Sequence, residues 1–258
     1  AQKNSALGIS LQTVMQIAFV TTAAWWLVFT IPMLKDVQQK HFKPREPNAI
    51  SRAIGGIGGT IKEMWSNKAI KYYMIAYFFY IDGVHTIIKL STSYGTELGI
   101  DSTQLVLALL VTQFVAFPCS IIYGKLAGRF GSKTMITAAV VAYMCIVFFA
   151  AFFLRAALEF WILAILVGMF QGGIQALSRS YYGKIIPKDH ANEYYGFYDI
   201  FGKTASIIGT FLVATTTSLT GNASIGVLSI AILLAVALVF LLLQKDPTKG
   251  STEAATVD

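Results

Sequence analysis

Charge is what this chain most lacks. Only 13% of its 258 residues are Asp, Glu, Lys or Arg, while 55% are hydrophobic. That is too little charge to cover the surface of a soluble domain of this length. Cysteine is scarcer still, and both copies, Cys119 and Cys145, sit in apolar blocks. A disulfide framework is thereby excluded, leaving two small hydrophobes. Histidine numbers three, with His41, His85 and His190 in different segments. They offer no ligand spacing, so no metal, no cofactor and no enzymatic activity is expected. A cleavable signal is also missing, because the first apolar block is too long and has Lys3 alone before it. The chain opens on "AQKNSALGIS" without Met, so it is expected to be a fragment or a processed product.

What it has instead is apolar residues in blocks of about twenty, the length that crosses a hydrocarbon core of roughly 30 Å. The fold class expected is all-α integral membrane. Seven spans are read at 10–34, 70–93, 104–123, 134–154, 160–178, 196–217 and 223–243. The connections alternate in charge. The stretches 35–71, 125–133, 179–195 and the tail after 244 hold 16 of the 20 Lys and Arg residues. The opposite set holds only Lys3 and Arg155, and Lys89 and Lys203 lie within spans. By the positive-inside rule the first set is cytoplasmic, placing the N-terminus outside and the C-terminus inside. The same partition accounts for the net charge of +7 with the lipid bilayer as partner and no nucleic acid.

Segment 35–71 differs from the other loops. After Pro44 and Pro47, Ile50, Ile54, Ile57, Ile61, Met64 and Trp65 recur at helical spacing, with Arg52, Lys62 and Lys68 elsewhere. This predicts an amphipathic helix on the inner membrane surface. Gly55, Gly56, Gly58 and Gly59 weaken it by about 1 kcal/mol each relative to Ala.

Against this apolar background the stretch "FFYIDGVHTIIK", residues 78–89, is anomalous. Asp82, His85 and Lys89 fall at i, i+3 and i+7, on one face of the second span. With that span entering near Tyr72, Asp82 lies roughly 15 Å deep, near the midplane. A charge there costs at least about 2.5 kcal/mol if it faces lipid. Asp82 and His85 are therefore candidates for contacting solute or carrying a proton, with Gly83 loosening the helix beside them. Lys89, nearer the outer end, can snorkel. The alternative is a structural pair of Asp82 with Lys203 or Lys89.

Gln171 and Gln175, at i and i+4, offer donors and acceptors toward a wet cavity or to another helix. Asp199 and Lys203 can pair along the sixth span, a structural or gating role. Arg179 and Glu193 flank a cytoplasmic loop and are expected to pair in a state-dependent way. Tyr194, Tyr195 and Tyr198 read as interfacial anchors. The triplet Gly202-Lys203-Thr204 fails as a phosphate loop, since Gly196 is one residue too far away and no strand precedes it. Asn222-Ala223-Ser224 is a glycosylation sequon in form, too close to the membrane to count.

Two motifs point to a known family. "GKLAGRFGSK", residues 124–133, resembles the signature loop of the major facilitator superfamily, with Arg129 in place. Gly128 stands where that loop has Asp, and Ser132 replaces a basic residue. Its glycines allow a tight turn, and Arg129 and Lys133 can bond helix C-terminal carbonyls. The stretches "QGGIQALSRSYYGKIIPKDHANEYYGFYDIFGK", "YFFYIDGVHTII" and "AAWWLVFTIP" resemble the vacuole-effluxer-like branch of that superfamily, whose fungal member is implicated in amino-acid release.

The resemblance implies helices six to twelve of a twelve-helix transporter. Residues 1–34 are then the sixth helix and 35–71 the central loop. Residues 72–244 make a six-helix bundle, and 245–258 a cytoplasmic tail. It implies that the second span lines a central cavity, and Thr210 stands where relatives are expected to have proline and a bend. The function expected is a secondary transporter in a plasma (inner) membrane, moving a small polar solute, with protons as the coupling ion. The missing N-terminal half or a second copy of the chain would complete it. The alternative is a seven-helix receptor or a structural membrane protein. A retinal pump is excluded, because 223–243 holds no lysine.

Overall fold

Long apolar runs leave the backbone one way to satisfy its hydrogen bonds away from water, and that is helix. The computed structural model describes residues 11–37, 49–97 and 99–247, with side chains from residue 58 onward in the second helix. The expectations resting on 1–10, 38–48 and the tail from 248 lie outside the described residues. The helices are α1 (Leu11–Asp36), α2 (Ala49–Ser66), α3 (Lys68–Glu97), α4 (Ser102–Phe130), α5 (Ser132–Phe153) and α6 (Ala157–Ile185). After a 3-10 turn at Lys188–His190 come α7 (Ala191–Thr204), α8 (Ile207–Thr220) and α9 (Ala223–Leu243). No strand occurs among the described residues.

Six helical stretches among the described residues are long and apolar enough to cross a membrane: Gln12–Asp36, α4, α5, α6, Lys188–Thr220 and α9. The remaining expected span is α3. Its length of 30 residues is ample, but its tyrosines together with Asp82, His85 and Lys89 hold its hydropathy down. Burial explains the tolerance: α3 packs against α4, α5, α6, α7, α8 and α9, and its side chains are buried at intervals from Ile70 to Tyr94. The helix α1 is apolar all round. Its side chains from 12 to 36 are almost all exposed, the pattern of a segment meant for lipid.

Short polar caps end the helices. Asp101 accepts the Thr103 N–H at 2.8 Å ahead of α4, and Asn222 accepts the Ser224 N–H at 2.9 Å ahead of α9. The signature-loop segment folds as a turn at Gly131 alone, with φ at 87°. Of the two basic residues expected to bond helix-end carbonyls, Lys133 bonds that of Gln244, which caps α9. Arg129 does otherwise: it is exposed and lies over the Phe130 ring at 5.4 Å.

α4 and α6 pack most closely. A Cβ on Gly168 would lie 2.7 Å from the Thr112 carbonyl oxygen, and one on Gly172 would lie 3.0 Å from that of Ala116. The Thr112 hydroxyl crosses this seam to the Ala164 carbonyl at 3.2 Å. The single span expected over 196–217 is two helices, broken at Ala205 and Ser206.

Candidate functional site

Ser206 is the only non-glycine residue with positive φ among the described residues, at 80°. This left-handed turn separates α7 from α8 without a proline, four residues before Thr210. A helix that starts inside a bundle exposes N–H groups with no intrahelical acceptor. Asp82 supplies one from a different helix. Its carboxylate accepts the Gly209 N–H at 2.8 Å, the Ile208 N–H at 3.2 Å and the Thr86 hydroxyl at 3.2 Å.

Asp82 is 0% exposed, so the charge is held by protein and by the positive end of α8. The alternative pairing of Asp82 with Lys203 or Lys89 is not the one made, since the carboxylate is bound to two backbone N–H groups and the Thr86 hydroxyl. Lys89 reaches the same break from two turns along α3, donating to the Ser206 hydroxyl at 2.6 Å. His85 lies half-buried between them in sequence.

Gly209 makes this arrangement possible. A Cβ there would fall 2.2 Å from the Thr86 hydroxyl oxygen and 2.6 Å from an Asp82 oxygen. Only a residue without one lets the carboxylate reach the amide.

A second group gathers on the middle turns of α7. Arg179 on α6 pairs with Asp199 at 2.9 Å, and the two side chains are 57% and 44% exposed. Its guanidinium also lies over the rings of Tyr195 and Tyr198, at 5.0 and 5.8 Å. The ion pair expected between Arg179 and Glu193 is therefore not made here. Glu193 faces His190 at 3.5 Å and accepts the Thr60 hydroxyl of α2. Nor does Asp199 hold Lys203, which is exposed. The arginine wins Asp199 because a planar guanidinium offers a stronger, directed hydrogen bond than a lysine one turn along the same helix.

The tyrosines are a further correction. Tyr194 and Tyr198 are only 1% and 5% exposed, packed inside the bundle and not against lipid. Tyr198 stacks on Tyr77 with centroids 4.2 Å apart and on Tyr182 at 5.0 Å. Beneath them the Tyr73 hydroxyl donates to the Ser178 carbonyl at 2.8 Å, and Tyr80 meets the Ser178 hydroxyl at 2.6 Å. α7 is thus held to α3 and α6 by long aromatic side chains. The signal in the sequence is the repeated Tyr pair at 72–73, 181–182 and 194–195.

Gln171 is half-buried, and its side-chain oxygen is enclosed without a hydrogen-bond partner. It lines an apolar crevice between α3, α4 and α6 together with Ser91 and Gln113. Gln175 is exposed one turn further on. The structure therefore groups Asp82 and Lys89 at the helix break and Arg179 with Asp199 midway along α7. Gln171 lies in a separate crevice, and Arg129 takes part in none of these groups. Sequence reasoning missed Thr86, Ser206 and Gly209. Only Gly209, a glycine where a helix was expected to run through, offered a hint.

A profile of the family described as "Vacuole effluxer Atg22 like" matches residues 2–255. An uncharacterized MFS-type transporter, YxiO of Bacillus subtilis, is 50% identical over 240 residues, covering 93% of this chain and 56% of YxiO. Autophagy-related protein 22 of Cryptococcus neoformans is 25% identical over 243 residues, covering 86% of this chain and 43% of its own length. Its counterpart in Saccharomyces cerevisiae is 25% identical over 242 residues, covering 80% and 46%. The chain spans about half the length of the curated relatives it matches.

Proposed function

Because the chain belongs to the vacuole effluxer Atg22-like family, we propose that it forms the C-terminal part of a secondary transporter for a small polar solute. The N-terminal half, or a second copy, supplies the remaining helices, and the assembly works by alternating access. Residues 72–244 act as one bundle. The Lys and Arg distribution orients it with its N-terminus outside and C-terminus inside an inner membrane. Amino acids are the first solutes to try, as the family resemblance implies.

The observation that carries this reading is a buried carboxylate bonded to the start of a helix that breaks in mid-span. In transporters, discontinuous helices of this kind build the substrate or coupling-ion site around which the bundles rock. An ionised Asp82 accepts from two N–H groups and a hydroxyl. Taking up a proton turns one oxygen into a donor and frees part of the first turn of α8. Proton binding is then coupled to the angle between α7 and α8, with Lys89 and His85 as the neighbouring charge-bearing groups on the same face. At the cytoplasmic end the exposed Arg179–Asp199 pair opens and closes as α7 moves. Gln171, with an enclosed acceptor to satisfy, and the exposed Gln175 meet the solute.

The test is flux in proteoliposomes holding this chain with the complementary helices, under an imposed pH gradient, against a panel of radiolabelled amino acids. The expected result is pH-driven flux of at least one of them, lost in Asp82→Asn while the protein stays folded. Flux that survives the substitution at full pH dependence takes the proton off Asp82.

A further inference from the structure

The segment from 49 to 71 holds Arg52, Lys62, Lys68 and Lys71 against one acid, Glu63. Within it α2 shows its faces plainly. Thr60 and Met64, one turn apart, point into the protein, and Met64 is 2% exposed. The next pair along the helix surface, Ile61 and Trp65, is 43% and 47% exposed. Lys62 and Lys68 are exposed as well. Tryptophan and isoleucine bordered by lysine is the composition that settles at the level of lipid headgroups.

The same helix is tied to the start of α7. The Thr60 hydroxyl donates to Glu193, and the Glu63 carboxylate faces the Tyr194 hydroxyl. Both acceptors and donors lie within one helical turn of each other on each side. Anything that presses α2 down therefore bears on the first turn of α7.

We infer that Ile61, Lys62 and Trp65, with Lys68, form a binding surface for anionic phospholipid of the adjoining leaflet. Lipid held there orders the first turn of α7 through Thr60–Glu193 and Glu63–Tyr194. The occupant is anionic because the segment is basic, and it is a lipid because the exposed residues between the lysines are an apolar side chain and an indole. The inference goes beyond solute transport, and its readouts do not involve flux, so it stands or falls separately.

The experiment uses the full chain in nanodiscs with Trp25, Trp26 and Trp161 replaced by Phe, leaving Trp65 as the sole tryptophan, excited selectively over the tyrosines. Brominated phosphatidylcholine and brominated phosphatidylglycerol are compared at equal fraction. The expected result is stronger quenching by phosphatidylglycerol, with that preference falling by about fivefold for each of Lys62→Glu and Lys68→Glu. Both positions are exposed, so these variants fold. Amide exchange over residues 191–195 should slow in phosphatidylglycerol discs. Thr60→Val with Glu63→Gln should abolish that slowing while Trp65 quenching persists. Equal quenching by the two lipids overturns the anionic site. Trp65 open to aqueous acrylamide and untouched by brominated lipid overturns lipid binding, and points to a protein partner. Unchanged exchange over 191–195 overturns the link to α7.

Discussion

Gly209 and Gly83 lie in helices that meet at Asp82, yet they answer to different demands. At 209 a methyl group would collide with the Thr86 hydroxyl and the Asp82 carboxylate, neither of which can withdraw without giving up the cap on α8. Gly209→Ala is expected to cost about 2 kcal/mol, through overpacking and the lost hydrogen bonds. At 83 the nearest atom is the end of the Leu234 side chain at 3.0 Å, which can rotate away. Gly83→Ala should stay within about 1 kcal/mol of the parent, the gain in helix propensity offsetting the crowding. Thermal unfolding in detergent compares the two, and a Gly83 variant less stable than the Gly209 variant would contradict the argument. Asp82 itself was legible in the sequence as a buried acid. Its partners were not, because backbone N–H groups carry no signature in a side-chain sequence.

Two elements carry local conformations with measurable consequences. Ser206 holds a left-handed backbone that costs an ordinary residue about 1 kcal/mol relative to Gly. Ser206→Ala and Ser206→Gly both remove the hydroxyl that Lys89 bonds, so their difference isolates the backbone. The glycine variant should be the more stable by about 1 kcal/mol in chemical or thermal unfolding, and equal stabilities would mean that the turn is unstrained. The start of α4 is pH-sensitive. Hydrogen bonds from Thr103 hold the Asp101 carboxyl below the ordinary carboxylate range. A depressed value means that the charged cap stabilises the helix above the unfolded value near 3.9 and is lost as the pH falls through the lower folded one. The protection of amides 102–105, corrected for the pH dependence of intrinsic exchange, should therefore fall below about pH 4 in the native chain, and show no such step in Asp101→Asn. The helices themselves were readable from apolar runs. The break in the sixth span was not, because residues 204–208 contain no glycine or proline to announce it.

At the scale of the molecule, most of the apolar surface belongs to lipid. Phe114, Phe117, Phe152, Phe153 and Leu219 are all more than half exposed, on helices otherwise buried along one stripe. The buried acid of the spans lies on α3 instead, facing α8. The charge pattern of the loops predicts the topology proposed above. With Cys119 and Cys145 replaced by Ala, a cysteine at Glu97 should react with an impermeant maleimide from outside the cell. One at Lys188 should react only after the membrane is opened. The reverse pattern would invert the topology, and with it the side of the membrane on which the Arg179–Asp199 pair lies.

The amino-acid sequence by itself decided that this chain is helical and lives in a bilayer, because hydropathy and the spacing of charge act through composition alone. It also singled out Asp82, since one acid in a long apolar run is costly wherever it points. What the acid does was decided only by tertiary structure. Its partners lie 126 and 127 residues away, and the break they belong to exists because α3 brings a carboxylate to the place where α8 begins. The same holds for Arg179, which takes Asp199 and leaves Glu193 to α2: pairing follows distance in space, which sequence order does not record.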